Sequence, residues 1–326
     1  MDNIISWIMS AVIFATISIF ASCGEILTEK SGHLNLGVPG IMYLSGYVSY
    51  YAAYTYSTST TNPNGFLVVL IAILVALAVG GLLGLLYSTM CVTFKANQNV
   101  IGLLIASFGV GFGKFISLIT GVNGKATFAG QIFTSGIPFL KDIPYVGQVL
   151  FGYGIMTYLA ILVAVLMHLF FKKTRCGLNL RAVGESPATA DAVGINVTLY
   201  KYLGIIIGCA LSGVAGMSYV LVFSSGAWST NNNIEVIGWL AVALVIFVTW
   251  KPARLLWGAV LFGLLYWAYV YIPYWINMSN IVGITQILQM FPYLITIIIL
   301  VMNSIKKSRL NQPPASLGLP YFREER

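Results

Sequence analysis

Runs of about twenty mostly apolar residues alternate along the chain with short polar gaps that hold most of the charge. A helix needs roughly 20 such residues to cross a bilayer core. The pattern predicts spans at 4–23, 34–56, 66–88, 98–120, 152–171, 201–223, 236–250, 255–276 and 285–303. The second span starts irregularly, because Gly37, Pro39 and Gly40 interrupt it. The stretch from Gly121 to Gly147 holds four glycines before Pro138 and Pro144 and reads as a long loop with short helical pieces. The expected fold is all-α, a polytopic transmembrane helix bundle of about 9 spans, with 8 to 10 compatible with the pattern. Residues 1–310 form the membrane domain, with a long polar loop at 172–200, and residues 311–326 form a tail.

Composition removes the soluble alternative. Apolar and aromatic residues make up 58% of the chain, charged residues 8%, and mean hydropathy is +0.88. Soluble domains carry about 25% charged residues. The net charge of +8 does not point to nucleic acid, since the basic residues gather in the gaps between apolar runs rather than among exposed aromatics. They orient the chain instead. If the 172–200 loop is cytoplasmic and spans alternate, Lys30, Lys95, Lys172, Lys173, Arg175, Arg181, Lys201, Lys251, Arg254 and the basic residues from Lys306 onward lie inside. Of the 17 basic residues only Lys114, Lys125 and Lys141 then fall outside or in a span. By the positive-inside rule the N-terminus is outside and the C-terminus cytoplasmic. Met1-Asp2-Asn3 offers no basic leader region, so residues 4–23 read as the first span rather than a cleaved signal.

No catalytic constellation stands out. Cys23, Cys91, Cys176 and Cys209 lack metal or redox spacing. His33 and His168 have no acidic companion at ligand spacing, and no paired carboxylates are evident, Glu25 and Glu235 standing at span ends. Gly113-Lys114 and Gly124-Lys125 lack the rest of a phosphate loop, so any ATPase would be a separate chain. Small residues four apart, at Gly80/Gly84, Gly109/Gly113, Gly204/Gly208 and Ser212/Gly216, fit close helix packing in lipid.

Three segments carry candidate chemistry. In the polar loop, Ser186 suits an N-cap, Pro187 a first helical position and Gly194 a C-terminal stop. They predict a short alanine-rich helix off the membrane, docked in a partner's groove or resting on lipid. From Glu29 to Gly40, glycine and proline at membrane depth free backbone groups that only protein or a water-filled cavity satisfies. Asn35 and Gly37 there are candidates for a solute path. Asn97 and Asn99 at the start of one span are further candidates. So are Trp228 and Trp239 around Asn231, Asn232, Asn233 and Glu235, since amides and rings suit a neutral planar solute. Lys114 is a rare charge within a span.

Together these segments resemble the permease subunits of bacterial ABC importers of the nucleoside (basic membrane protein) type, related to ribose and branched-chain amino-acid permeases. Glu29 to Gly40 is similar to the family's opening acidic–basic and asparagine–leucine–glycine segment. Arg181 to Pro187 with Gly194 to Val197 resembles its cytoplasmic R-A-V-G-E-N-P…G-I-N-V motif, and Gly238-Trp239 through Trp250-Lys251-Pro252 its late span. Pro39 stands where the family usually has Glu, and Val248 where Gly is common. The resemblance implies that 184–195 is the coupling helix that docks into the ATPase. Gly184, Glu185, Pro187, Ala190 and Gly194 are its matched positions, with Ser186, Asp191 and Ile195 on the same segment. It further implies a second homologous permease, a cytoplasmic ABC ATPase that holds ATP and Mg, and an extracytoplasmic substrate-binding lipoprotein. The expected setting is the bacterial inner (cytoplasmic) membrane, with lipid around the bundle, no nucleic acid, and no cofactor or metal on this chain. Purine nucleosides are the expected solutes, with ribose-like sugars or branched-chain amino acids as alternatives. An ion-coupled secondary transporter is the alternative of another class, and it would require intramembrane acids.

Overall fold

The computed structural model describes residues 2–122, 124–138, 143, 146–230, 233–275, 283–306 and 312–322. Met1, Lys141, Pro144, Asn231, Asn232, Lys307, Arg309, Arg323 and Arg326 lie outside the described residues. Among the described residues fourteen α-helices follow in order: α1 (Asp2–Lys30), α2 (Val38–Ser59), α3 (Gly65–Ser88), α4 (Gln98–Thr120), α5 (Thr127–Thr134), α6 (Val146–Phe151), α7 (Ile155–Lys173), α8 (Arg175–Glu185), α9 (Pro187–Ala192), α10 (Val197–Ser218), α11 (Ile234–Phe247), α12 (Pro252–Trp275), α13 (Ile284–Gln289) and α14 (Phe291–Lys306). The ends of α3 and α10 widen into single π-helical turns, Thr89–Thr93 and Tyr219–Phe223. Among the described residues the one strand-like pairing is an isolated bridge between Lys125 and Ala227.

Each expected span falls on helix, and α5 and α6 are the short pieces expected in the 121–147 loop. Among the described residues, helices long and apolar enough to cross a membrane number 7: α1, α3, α4, α7, α10, α12 and the α13–α14 pair. The tyrosine- and serine-rich α2 and the 14-residue α11 fall short of that standard. The chain is a multi-pass membrane protein.

The bundle is organised around α10, which packs on α1, α2 and α3. With no hydrophobic drive between helices in lipid, contact depends on close backbone approach. The small-residue stripes supply it. Gly208 of α10 faces Gly24 and Thr28 of α1, and Gly80 and Gly84 of α3 face Cys209. A Cβ at Gly216 would overlap the Met42 carbonyl of α2. In the same way Gly109 and Gly113 of α4 seat against Gly40 and Tyr43. On the far side of α1, Phe14 stacks on Tyr266 of α12 at 4.5 Å, and the Trp7 indole donates to the Leu264 carbonyl at 3.1 Å.

Two expectations need correction. The first span does not stop at residue 23. Nothing in Gly24–Lys30 breaks a helix, so α1 continues to the turn at Ser31–Gly32, where Gly32 has φ +90°. Its last two turns therefore carry acids inside the bundle: Glu25 is 0% exposed and Glu29 1%. Second, the 184–195 segment is not one helix. Ser186, at φ −150°, breaks it into the end of α8 and the six-residue α9.

Candidate coupling surface

One end of the bundle collects the basic residues. Lys30, Lys172, Arg181 and Lys251 surround one depression there, and Lys95 and Lys201 line another. Both sit beside α8 and α9, whose placement follows from local sequence. Thr174 caps α8 by accepting from the Gly177 amide at 3.0 Å. Ser186 caps α9 through the Thr189 amide at 3.4 Å, with Pro187 next. Gly194 ends the segment at φ +84°, a conformation L side chains resist.

The expected coupling positions differ in burial. Gly184 faces inward, and a Cβ there would overlap the Lys30 carbonyl oxygen. Ala190 is buried with Val183 and Val197 in a small core that Ile195, Tyr200 and Tyr321 flank. Glu185 and Gly194 are exposed, as are Ala188, Thr189, Ala192 and Val193, so the outward surface is mainly small and apolar. Pro187 and Asp191 are half-buried. Asp191 accepts a hydrogen bond from the Tyr321 hydroxyl at 3.0 Å.

Sequence reasoning missed the C-terminal strand of contacts on this surface. Ser316 donates its amide to the Gly184 carbonyl at 3.1 Å and its hydroxyl at 2.5 Å. The Ala315 amide donates to Glu185 Oε2 at 3.3 Å, and Gly318 donates to the Gly32 carbonyl at 3.3 Å. The tail thus joins the α1–α2 corner to α8, and no local periodicity marks it for that role.

The six expected path residues do not converge. Asn35 is fully buried, and its side chain is spent on the corner itself: Oδ1 accepts from Gly37 N at 2.9 Å and Nδ2 donates to Cys209 Sγ at 3.3 Å. Nearby, Leu34 N donates to Gln98 Oε1 at 2.9 Å, its carbonyl accepts from Tyr87 at 2.6 Å, and Asn35 N donates to Glu25 Oε1 at 3.2 Å. Irregular backbone at this depth is satisfied by protein. Gly37 packs against Ile105. Asn97 is the exposed N-cap of α4 at the basic end, accepting from Asn99 N and Val100 N, and Asn99 is exposed beside it. At the other end of α4, Trp228 is buried. Its indole donates to Ser117 Oγ at 2.8 Å, and its rings lie 4.7–6.0 Å from Tyr43, Tyr47 and Tyr50. Trp239 is exposed on α11. Lys114 lies 3.7 Å from Glu235, a half-exposed ion pair.

A roomy depression, about 780 Å³, opens instead at the basic end. Glu29, Leu34 and Leu36 of the corner, Val242 and Ile246 of α11, and Pro314 of the tail line it. It contains none of the six, although two of its wall residues flank Asn35. The Trp250 indole donates to Glu29 across its edge. Thr249 and Trp250 hold positive φ values of 54° and 55° to make that turn before Pro252. Close by, burial, with the Lys201 charge as a second cause, pulls the His33 imidazole down to about 3.

Residues 6–300 match the family described as branched-chain amino acid transport system / permease component. The chain is 34% identical to a putative glucose ABC transporter permease protein of Haloferax volcanii over 77% of this chain and 73% of that protein. It is 31% identical to the nucleoside ABC transporter permease protein NupC of Lactococcus lactis subsp. cremoris, over 90% of each. It is 29% identical to the guanosine ABC transporter permease protein NupQ of Bacillus subtilis, over 99% of each. No solved structure matches. With a helical membrane bundle, a glycine-closed polar segment on its basic end and a match that runs through nearly every span, this chain belongs to the family of permease components of the branched-chain amino acid transport system.

Proposed function

We propose that the chain is one of two homologous permeases in an ATP-driven importer of nucleosides, purine nucleosides first among them. Nine spans alternate in this reading, α2 and α11 included, with the N-terminus outside and the C-terminus in the cytoplasm of a bacterial cell. A separate ATPase binds ATP and Mg and receives 184–195, and a lipoprotein delivers the solute. The chain itself catalyses no reaction.

The observation that carries the coupling assignment is the close packing of Gly184 on the Lys30 carbonyl, with Gly32 beside it. A push on the α8–α9 segment reaches the α1–α2 corner through the backbone contact of Gly184 in α8 rather than through flexible side chains. Two packings of that corner, biased by the ATPase, would alternate access to the path. The nucleoside assignment draws support from the relatives named for nucleosides and guanosine, which align over almost their full length.

A sugar is the second solute class, favoured by the relative named for glucose. The secondary-transporter reading gains the intramembrane acids Glu25 and Glu29. Their described contacts hold the Asn35 amide and Trp250 in place, which is a closing role rather than a path-lining one.

The test is uptake into liposomes holding the chain with its permease, ATPase and binding-protein partners, using labelled inosine, adenosine, uridine, ribose and leucine. ATP-dependent uptake confined to nucleosides is expected. Uptake of ribose or leucine alone would replace the solute, and uptake that proceeds without ATP would overturn the importer.

A further inference from the structure

A cavity of about 420 Å³ lies at the basic end between the α1–α2 corner, the π turn after α3, the 194–198 turn and the tail. Its walls bring Lys95, Lys201, His33 and Tyr321 together with the amino end of α10. Lys201 is 3% exposed and makes no ion pair among the described residues. Its ammonium stands 5.7 Å from the Tyr321 ring centroid, and that of Lys95 4.2 Å from the Phe322 centroid. His33 is 1% exposed, and its Nδ1 has no hydrogen-bond partner. Asp191, the one carboxylate among the described lining residues, accepts from Tyr321 and offsets at most one of the two ammonium charges, which leaves the site net positive.

Removing an ammonium from water without a counter-charge is unfavourable, and ring faces compensate only part of that cost. The amino end of the 22-residue α10 adds positive potential to the same space. Two ammonium groups and a helix end call for a compact anion with several acceptor oxygens. A single chloride would leave most of the volume and one lysine unanswered.

We propose that this cavity binds a phosphate group, held by Lys201 and Lys95, whether of free phosphate, a mononucleotide or an anionic lipid headgroup. The site lies beneath α9 and the tail. Occupancy would therefore tie both to the α1–α2 corner, an effect on transport that rests on the importer reading, whereas binding itself does not.

The experiment uses the full chain in phosphatidylcholine nanodiscs. Inorganic phosphate and adenosine 5′-monophosphate are titrated at constant ionic strength, with adenosine and chloride as controls. Thermal midpoint and acylation of Lys201, followed by peptide mass spectrometry, are the readouts. Phosphate or the mononucleotide is expected to raise the midpoint and slow Lys201 acylation, while adenosine and chloride do neither. Lys201→Gln should weaken phosphate binding by about tenfold, the scale of one lost charge-assisted contact, and Lys125→Gln at the opposite end should leave it unchanged. Protection seen only when phosphatidylglycerol replaces phosphatidylcholine would assign the phosphate to lipid. Equal acylation of Lys201 with phosphate, mononucleotide and phosphatidylglycerol overturns the proposal, and this readout on the wild-type chain decides even if Lys201→Gln fails to fold.

Discussion

At the scale of single residues, the polar segment separates packing from contact with a partner. Gly184 and Val193 lie nine positions apart, yet one touches the Lys30 carbonyl and the other is 72% exposed. Gly184→Val overpacks a backbone contact and should cost about 1–3 kcal/mol of stability, read as a lower thermal midpoint. Val193→Asp should change stability by no more than about 0.5 kcal/mol, as exposed substitutions do, while abolishing stimulation of the ATPase in the assembled complex. Full stimulation with Val193→Asp would remove the coupling surface from α9. His33 makes a second residue-scale prediction. Its folded value, about 3, lies below the usual 6.5. The unfolded chain thus binds the extra proton first, and the stabilising contribution is complete above pH 6.5 and is lost as pH falls toward 3. Wild-type protein should lose thermal stability between pH 7 and 5 more steeply than His33→Gln.

At the scale of elements, α8, α9 and the tail form one small unit. Ser316 and Gly318 bond to Gly184 and Gly32, which belong to elements far apart in sequence. Deleting residues 312–326 removes those donors and uncovers the Gly184 carbonyl. Amide hydrogen exchange across 184–192 should then accelerate, while the interior of α10, locked by Gly208 and Gly216 against α1 and α2, should keep its protection. Unchanged exchange at 184–192 would make the tail a passenger. The other connector is the end of α1. Glu29 reaches Trp250, so α1 and the α11–α12 turn share a contact that the strained φ values of Thr249 and Trp250 make geometrically possible.

Whole-molecule predictions concern orientation in the membrane. Cys176 is exposed on α8, at the basic end, and the other three cysteines are buried. A membrane-impermeant maleimide should label Cys176 in inverted vesicles and spare it in intact cells. Labelling in intact cells would reverse the proposed topology. Exposed apolar residues along α4, among them Leu104, Phe108, Phe115 and Ile119, leave a broad face for lipid or for the second permease.

The sequence by itself determined the class of the molecule, because apolar runs of membrane length admit helix and little else, and each of those runs lies mainly on helix among the described residues. It also placed the Ser186 cap and the Gly194 stop, since both depend on backbone geometry within a few positions. Hydropathy could not see that α1 runs on to Lys30. A charged residue ends an apolar run but does not end a helix, and whether Glu25 and Glu29 are buried depends on the elements that cover them. The solute candidates fall into separate groups, Asn35 with Gly37 and Asn97 with Asn99, for a related reason. Asn35 has the chemistry of a ligand contact, but Gly37, Cys209 and Glu25 occupy its groups. Trp228 and Asn97 sit at opposite ends of α4, about 30 Å apart at 1.5 Å per residue. Only the tertiary structure decided that the tail would close on Gly184 and that Lys95, Lys201 and His33 would share one cavity, because each meeting joins residues from separate elements that no local pattern links.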